Sequence, residues 1–305
     1  MDRREFIRKS LAIGASAGLT LAGGGLVDLF AGDKKSKVPD LVAVKNGEPE
    51  AMFDAGIKAL GGIAQFVKKG QVVLVKPNIG WDKSPEMAAN TNPKLVKRII
   101  EHCFNAGASK VYVFDHTCSS WQNSYKNSGI EQAAKDAGAE VVPASSPNLY
   151  DKVTIPGGVM LKEAKVHELL LSADVFINVP VLKHHSATQM TAAIKNLMGI
   201  VWDRGYFHNN DLHQCVADMA KFRKPTLNIV DAYRVLTANG PQSPNPADVA
   251  LKKMLLISQD IVAIDTAAAA ILEKNLKYIK YIEYAARDNL GQMDLEKLNI
   301  ERISL

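Results

Sequence analysis

The sequence predicts an α/β protein in which a largely parallel sheet is layered between flanking helices. Short, almost continuously apolar segments recur along the chain, as is typical of buried parallel strands. Amphipathic segments with helical spacing separate them, and this alternation indicates strand–helix–strand units. Behind an N-terminal segment of 32 residues, about 270 residues remain, enough for one domain with a large core. We therefore expect a signal segment at 1–32 and a single α/β domain at 33–305.

The elements of this domain follow one another after a polar linker at 32–40. Segment 71–78, QVVLVKPN, predicts the first strand, and the next helix begins with Asn92 as N-cap and Pro93 in its first turn. Further strands are predicted at 109–116, 139–144, 173–183, 226–233 and 253–265, and further helices at 129–138, 187–199, 210–222 and 266–276. Segment 155–164 predicts a hairpin, and the Pro-, Gly- and Asn-rich segment 237–246 predicts a long loop.

The first 32 residues have the layout of an export signal. A positively charged start, DRREFIRK, precedes an apolar, Gly- and Ala-rich run from Leu11 to Val27. The pair Arg3 and Arg4 resembles the twin-arginine (Tat) signal, whose usual form is Ser/Thr-Arg-Arg-x-Phe-Leu-Lys. This resemblance implies the Tat machinery as a partner and the periplasm or outer surface as destination. The alternative is an uncleaved signal that tethers the protein to the inner membrane.

Composition limits the classes of partner. The chain has 37 Lys and Arg against 32 Asp and Glu, a net charge of +5, without a basic run or an aromatic-interleaved patch that would indicate nucleic acid. A small anionic ligand fits this mild positive charge better. Cys103, Cys118 and Cys215 are far apart and lack C-x-x-C spacing, so no iron–sulfur cluster is expected from this chain alone.

The stretch VLKHHSATQMTAAIKNLMG, residues 181–199, is the strongest candidate for a site. Lys183, His184 and His185 follow an apolar strand, at the edge where ligands bind in open α/β sheets. The predicted helix at 187–199 would direct its N-terminus at an anion and carry Thr188 and Lys195 on a stripe of small and polar residues. We expect an anion pocket here, with Lys183, His184 and Lys195 as candidate catalytic residues.

A metal site is the competing hypothesis for the histidines. Adjacent histidines point in different directions, so His184 would need a second ligand from the segment WDRGYFHNNDLHQC, and His208 is the candidate. The sequence therefore leaves the cofactor unassigned, with a metal ion as one candidate.

The sequence resembles the DUF362 family of prokaryotic α/β proteins over roughly residues 70–275. The resemblance depends on VLVKPNIG, on ADVFINVPVLKHH leading into TAAIKNLMG, on LNIVDAY with NGP, and on IVAIDTAAA. It implies a set of polar site residues: Lys76, Asn78, Lys183, His184, Lys195, Asn196 and Asp231. Many relatives also carry a ferredoxin-like cysteine segment, which this chain lacks, so electron transfer is not expected of it.

Two functional hypotheses follow. The first is an exported protein that binds a small anionic ligand or cofactor in a Lys/His pocket and uses a Lys/His acid–base pair as an enzyme. In it Lys76, Asn78, Asn196, Thr188 and Asp231 bind the ligand. The alternative is a non-catalytic periplasmic protein that binds a metal or a cofactor.

Overall fold

The computed structural model describes residues 38–305. The predicted signal at 1–32 lies outside the described residues, and the single-domain boundary at 33 stays a prediction. Within the described part of the chain, no helix is both long enough and apolar enough to cross a membrane.

Twelve strands are formed by residues 38–305. They are β1 Leu41–Lys45, β2 Val72–Pro77, β3 Lys110–Val113, β4 Glu140–Val141, β5 Tyr150–Thr154, β6 Glu163–His167, β7 Val175–Val179, β8 Val181–His185, β9 Gln189–Thr191, β10 Leu227–Leu236, β11 Val249–Ser258 and β12 Ile300–Ser304.

Ten α-helices occur in the same part of the chain. They are α1 Pro49–Ala59, α2 Pro93–Asn105, α3 Trp121–Asn127, α4 Ile130–Asp136, α5 Glu168–Ser172, α6 Ala193–Asn196, α7 Gly205–Asn209, α8 Leu212–Met219, α9 Ile261–Ile271 and α10 Lys280–Arg287. The predicted cap of α2 is confirmed, because the Asn92 side chain accepts a hydrogen bond from Lys94 N at 3.0 Å.

The main sheet has ten strands, of which eight follow the order β12-β1-β11-β10-β7-β2-β3-β4. The neighbours from β10 through β4 are parallel, as are β12 and β1, whereas β11 is antiparallel to both β1 and β10. β8 pairs in parallel with β10 and antiparallel with β9. The predicted fold class, a layered and largely parallel sheet flanked by helices, is confirmed.

Each face of the sheet has its own core. Alternate residues of one strand divide between them: Leu74 of β2 belongs to one apolar cluster, while Val73 and Val75 belong to the other. Helices α8, α9 and α10 contribute to the first cluster, and α1, α2 and α4 to the second. Because both faces are covered, the central strands are almost continuously apolar, which is the pattern that the sequence showed.

Some predicted elements differ from those observed. The strand predicted at 253–265 ends at Ser258, and helix α9 begins at Ile261 within that segment. The hairpin predicted at 155–164 is present but wider, since β5 and β6 pair antiparallel from Tyr150↔His167 to Thr154↔Glu163. The helix predicted at 187–199 is wrong over its first half. A β-hairpin of β8 and β9 occupies residues 181–191, and only the short α6 and a 3₁₀ turn at Leu197–Ile200 are helical.

Candidate functional site

A pocket of about 480 Å³ opens at the carboxyl ends of β2, β3 and β8. We call it the lysine pocket and define it by its cationic side chains, Lys183, Lys195 and Arg204. Its position is the one expected for a ligand site in an open α/β sheet. Within residues 38–305, its lining contains a single carboxylate, Asp115.

The β8–β9 hairpin decides which side chains of the KHH sequence face this pocket. Lys183 pairs with Thr191 and His185 with Gln189, and Gln189 has a left-handed backbone (φ 66°) where the chain turns back. Side chains alternate along a strand, so Lys183 and His185 share one side and His184 points to the other. Lys183 and His185 line the pocket, and His184 accepts a hydrogen bond at Nδ1 from Gly240 N, at 3.0 Å, in the predicted loop.

Lys183 is buried, and neutral oxygen atoms bind its ammonium group. Its Nζ donates to Asn78 Oδ1 at 2.9 Å and to the carbonyl of Ala89. Burial lowers the pKa of Lys183 to about 7, with the positive charge of Lys195 acting in the same direction. A fraction of the molecules therefore carries this amine in its neutral form near neutral pH.

Lys195 extends from α6 into the same pocket. Its Nζ donates to Met198 Sδ at 3.4 Å, and in the described part of the chain it has no carboxylate partner. Burial lowers the pKa of Lys195 to about 8. A buried ammonium without an opposite charge is costly, and a bound anion would relieve that cost.

The N-terminus of α6 is already occupied by a protein carboxylate. Asp265, in the buried helix α9, accepts hydrogen bonds from Ala193 N at 2.6 Å and Ile194 N at 3.0 Å. Burial raises the pKa of Asp265 to about 7. The expectation that a helix N-terminus in this stretch receives the ligand anion is therefore wrong, because these N–H groups bind Asp265.

Lys76 lies behind the pocket lining in an ion pair. Its Nζ is 2.7 Å from Asp115 Oδ1, and both side chains are almost completely buried. The other carboxylate oxygen of Asp115 accepts a hydrogen bond from Ile79 N at 2.6 Å. Asp115 therefore has its partners within the protein. Gly199 makes room for the pair, since a Cβ at that position would overlap Asp115 Oδ1.

A chain of side-chain amides connects the pocket with the centre of the sheet. Asn78 donates to Asn196 at 3.0 Å, Asn196 to Asn178 at 2.9 Å, and Asn178 to Asn228 at 3.0 Å. Asn228 donates in turn to the backbone carbonyl of Ser258 at 3.4 Å. Every NH₂ group points inward, so the Asn78 oxygen is left facing Lys183.

Two imidazoles of the lining have opposite tautomers. His116 Nδ1 lies 2.8 Å from the Val201 carbonyl and must donate to it, which leaves Nε2 of the neutral ring as an acceptor. His185 Nδ1 accepts from Ala187 N at 3.2 Å, which leaves Nε2–H as a donor. Burial lowers the pKa of both rings, and Lys195 and Lys183 lower that of His185 further. The neutral pair thus provides one base and one hydrogen-bond donor.

Arg204 is held against the loop after β3. Its guanidinium donates to the His116 carbonyl at 2.8 Å and to the Thr117 carbonyl at 2.5 Å, and Nη1 lies 3.1 Å from Cys118 Sγ. Its charge is fixed beside the pocket, and these contacts use only part of its hydrogen-bonding capacity. Cys118 lines the pocket as a free thiol.

The structure brings together most of the predicted site residues, but not all of them. Asn78, Lys183, Lys195, Asn196 and His208 line the lysine pocket, and Lys76 lies directly behind it. Three residues lie elsewhere. His184 contacts the loop at Gly240, the buried Thr188 hydroxyl donates to Met190 O at 3.1 Å, and the buried Asp231 accepts from Asn92 N at 2.7 Å.

Several residues of the pocket lining, and two of the amide chain behind it, were absent from the predicted site set, and some of them had a usable signal. His185 follows from period-two alternation once Lys183 is placed on a strand. The amides Asn178 and Asn228 stand out as polar residues within apolar strands. Arg204 lies in an irregular connection with no periodic pattern, so nothing in the sequence distinguished it.

The described part of the chain offers no cluster of metal-binding side chains that would support the metal hypothesis. Residues 38–305 contain no group of three or more His, Cys, Asp or Glu side chains placed to hold a metal ion. His208 lines the pocket, whereas His184 does not.

Fold and site together define a class: α/β proteins with a cationic pocket at the carboxyl edge of a mostly parallel sheet. The chain belongs to the DUF362 family, described as a domain of unknown function, which matches residues 73–270. A thylakoid-associated protein of Synechocystis sp. is 27% identical over 249 residues, which are 77% of this chain and 73% of that protein.

Two solved structures overlap with this fold in part. The lactate racemase apoprotein from Thermoanaerobacterium thermosaccharolyticum aligns with a TM-score of 0.43 and 14% identity, over 69% of this chain and 54% of that one. A protein from Thermotoga maritima aligns with a TM-score of 0.41 and 13% identity, over 79% and 60%. This chain thus spans less than two thirds of either solved chain.

Proposed function

We propose that the lysine pocket binds a small anion, a carboxylate or a phosphate, and that Lys195 serves there as the acid–base group. One observation supports the binding function above all. Two buried lysines and Arg204 reach one pocket, and the carboxylate in its lining, Asp115, is already paired with Lys76. An anion would supply the missing negative charge.

The hydrogen-bonding groups support the same ligand class. His185 offers an Nε2–H, and the Lys183 and Lys195 ammonium groups have donors to spare. Charge-assisted hydrogen bonds of this kind are short and strong with carboxylate or phosphate oxygens. The ligand would therefore be held by a ring of donors around one anionic group.

The lowered pKa values support proton transfer at this site. A general base must be neutral in part of the molecules at the working pH, and a pKa near 8 gives Lys195 such a fraction. The neutral His116 Nε2 is a second acceptor in the same lining. His184 stays a predicted catalytic residue, but its contact with Gly240 places its side chain away from the lining.

The test is calorimetric titration of the protein with inorganic phosphate and with malonate at pH 7. We expect Lys195→Met to lower the affinity for the anion at least about tenfold, because a charge-assisted contact worth about 1.5–3 kcal/mol is lost. Lys126→Met removes a charge from an exposed position on α3 and should leave the affinity unchanged within about twofold, as surface changes do.

Thermal unfolding separates a lost contact from a damaged fold. The Lys195→Met protein without ligand should melt at a higher temperature than the parent at pH 7, because the substitution removes a buried ammonium. Equal anion affinity in the Lys195→Met and parent proteins would refute the proposed function.

Export belongs to the same proposal and depends on residues 1–32. Replacing Arg3 and Arg4 by lysine should retain the protein in the cytoplasm, as measured by cell fractionation. Unchanged export of that variant would argue against the Tat route.

A further inference from the structure

We propose that the anion bound in the lysine pocket is one end of a larger ligand, whose other end is a flat aromatic ring stacked on Trp202. This inference rests on the proposed function and names the class of ligand. It comes from a second cavity beside the first, of about 610 Å³, which we call the aromatic pocket and define by Leu161, Trp202 and Tyr206.

The two pockets adjoin one another. His116, Arg204 and Gly205 line both of them. Hydrogen bonds to the backbone fix the first two side chains, and Gly205 contributes no side chain to the boundary. A ligand can therefore extend from one pocket to the other past a rigid boundary. Ligands that fill pockets of several hundred Å³ are much larger than a lone carboxylate or phosphate.

The aromatic side chains of the second pocket are held in place before any ligand arrives. The Trp202 indole stacks on His116 at 5.0 Å with an interplanar angle of 3°, and the Tyr150 ring contacts it at 5.3 Å with a tilt of 56°. The Tyr206 hydroxyl donates to Met160 O at 3.1 Å. Little side-chain freedom remains to be lost on binding, and that favours affinity. The half-buried indole is thus a stacking surface in a fixed orientation.

The charges of the aromatic pocket indicate that its occupant is neutral. Lys152 pairs with Glu163 at 2.8 Å across the β5–β6 hairpin. Asp203 and Lys165 also line the pocket, and Arg204 lies at its boundary with the lysine pocket, so both signs are present in nearly equal number. The lysine pocket has the larger cationic excess, so the anionic group of the ligand belongs there and the ring belongs beside Trp202.

The experiment compares ligands that share an anion and differ in the ring. Affinities are measured by calorimetry for inorganic phosphate, phenyl phosphate and adenosine monophosphate, and for acetate and 3-phenylpropionate. We expect at least one ring-bearing ligand to bind about tenfold more tightly than the corresponding anion without a ring, as base–aromatic stacking does elsewhere. The two series also distinguish a phosphate from a carboxylate.

Variants of the aromatic pocket identify the side chains that give ring-bearing ligands their higher affinity. Trp202→Ala and, separately, Tyr206→Ala should remove most of the ring's advantage while leaving inorganic phosphate or acetate binding within about twofold. Trp121→Ala is the matched control, since Trp121 packs edge-on against Tyr125 on α3 and lines neither pocket. Ring-bearing ligands should quench tryptophan emission more strongly in the Trp121→Ala protein than in the Trp202→Ala protein, in which Trp81 of the lysine pocket still responds to the bound anion.

The outcomes separate the two proposals. Binding of phosphate or acetate without any gain from a ring, or a gain that survives both Trp202→Ala and Tyr206→Ala, overturns this inference and leaves the anion pocket standing. Absence of binding by every ligand in both series overturns the proposed function as well.

Discussion

Single side chains determine the electrostatics of the site. Lys183 and Lys195 are both buried, yet Lys183 binds neutral oxygen atoms and Lys195 a thioether sulfur. Lys76 has the same charge and a full counter-ion in Asp115. The difference among the three lysines is therefore the location of the nearest carboxylate. Lys76 has its counter-ion within the protein, whereas Lys183 and Lys195 lack one in the described part of the chain and are the stronger candidates for binding a ligand.

Gly199 offers a test at this scale. In a Gly199→Ala protein the added Cβ would overlap Asp115 Oδ1 and lie 2.7 Å from Lys76 Nζ, so the buried ion pair would have to move. We expect the free energy of unfolding, measured in urea, to fall by about 3 kcal/mol, the typical cost of breaking such a pair.

The neighbouring Gly80 supplies the control for that change. A Cβ at Gly80 meets Asn78 Oδ1 at 3.4 Å, an ordinary contact, although this glycine lines the same pocket. Gly80→Ala should change the free energy of unfolding by no more than about 0.5 kcal/mol. Similar losses in both variants would show that the Lys76–Asp115 pair does not depend on the space at Gly199.

Among the elements, the short helix α6 has the largest effect on the geometry of the site. It has only four residues, too few to be stable alone, and it presents both Lys195 and Asn196. Asp265 fixes its first turn through two backbone N–H groups, and Asn178 Nδ2 donates to the Ala193 carbonyl at 3.0 Å. The geometry of Lys195 therefore depends on contacts from α9 and β7.

Asp265→Ala tests this dependence. Two buried N–H groups would lose their acceptor, so we expect the free energy of unfolding to fall by about 2–4 kcal/mol. Phosphate affinity, measured by calorimetry, should fall with it, because the helix that carries Lys195 is no longer fixed.

Asp211→Ala is the control at the element scale. Asp211 caps α8 through Gln214 N at 3.0 Å, and α8 carries none of the pocket lining. This variant should lose about 1 kcal/mol of stability and keep its affinity for phosphate. An Asp265→Ala protein that binds phosphate normally would contradict the positioning role.

For the whole molecule, the free-energy cost of burying a charged lysine should appear in the pH dependence of folding stability. The pKa of Lys195 is about 8 in the folded protein against 10.5 for a free lysine. The unfolded chain therefore holds more protons between these values, and the folded state gains stability as the pH rises through this window. Below about pH 8 the cost is constant, roughly 3 kcal/mol at 1.36 kcal/mol per pH unit.

A comparison of thermal midpoints isolates this contribution. Lys195→Met should be more stable than the parent at pH 7, and the difference should shrink as the pH is raised towards 10. The affinity of the parent protein for phosphate should also fall above about pH 8, because Lys195 loses its proton there. A stability difference that does not vary with pH would show that Lys195 titrates normally.

At the same scale, the sequence predicted the sheet better than the site. Apolar runs report burial on both faces, so the strands around Leu74 and Ile177 were recognisable without tertiary information. The hairpin at 181–191 was missed because Met190, Ile194 and Leu197 also fit helical spacing, and only pairing of β9 with β8 excludes the helix. Because of that error, His184 was predicted to face the pocket, and His185 was absent from the predicted site residues.

The one-way amide chain that ends at the Ser258 carbonyl has a consequence for engineering this scaffold. Rotating any one of the four side-chain amides by 180° would place two carbonyl oxygens, or two NH₂ groups, against each other. The Ser258 carbonyl in the interior therefore determines the orientation of each amide in turn, out to Asn78 at the pocket. Mutants selected in the laboratory for a new ligand should thus accumulate changes at the rim, around residues 202–208, while these four asparagines stay as they are.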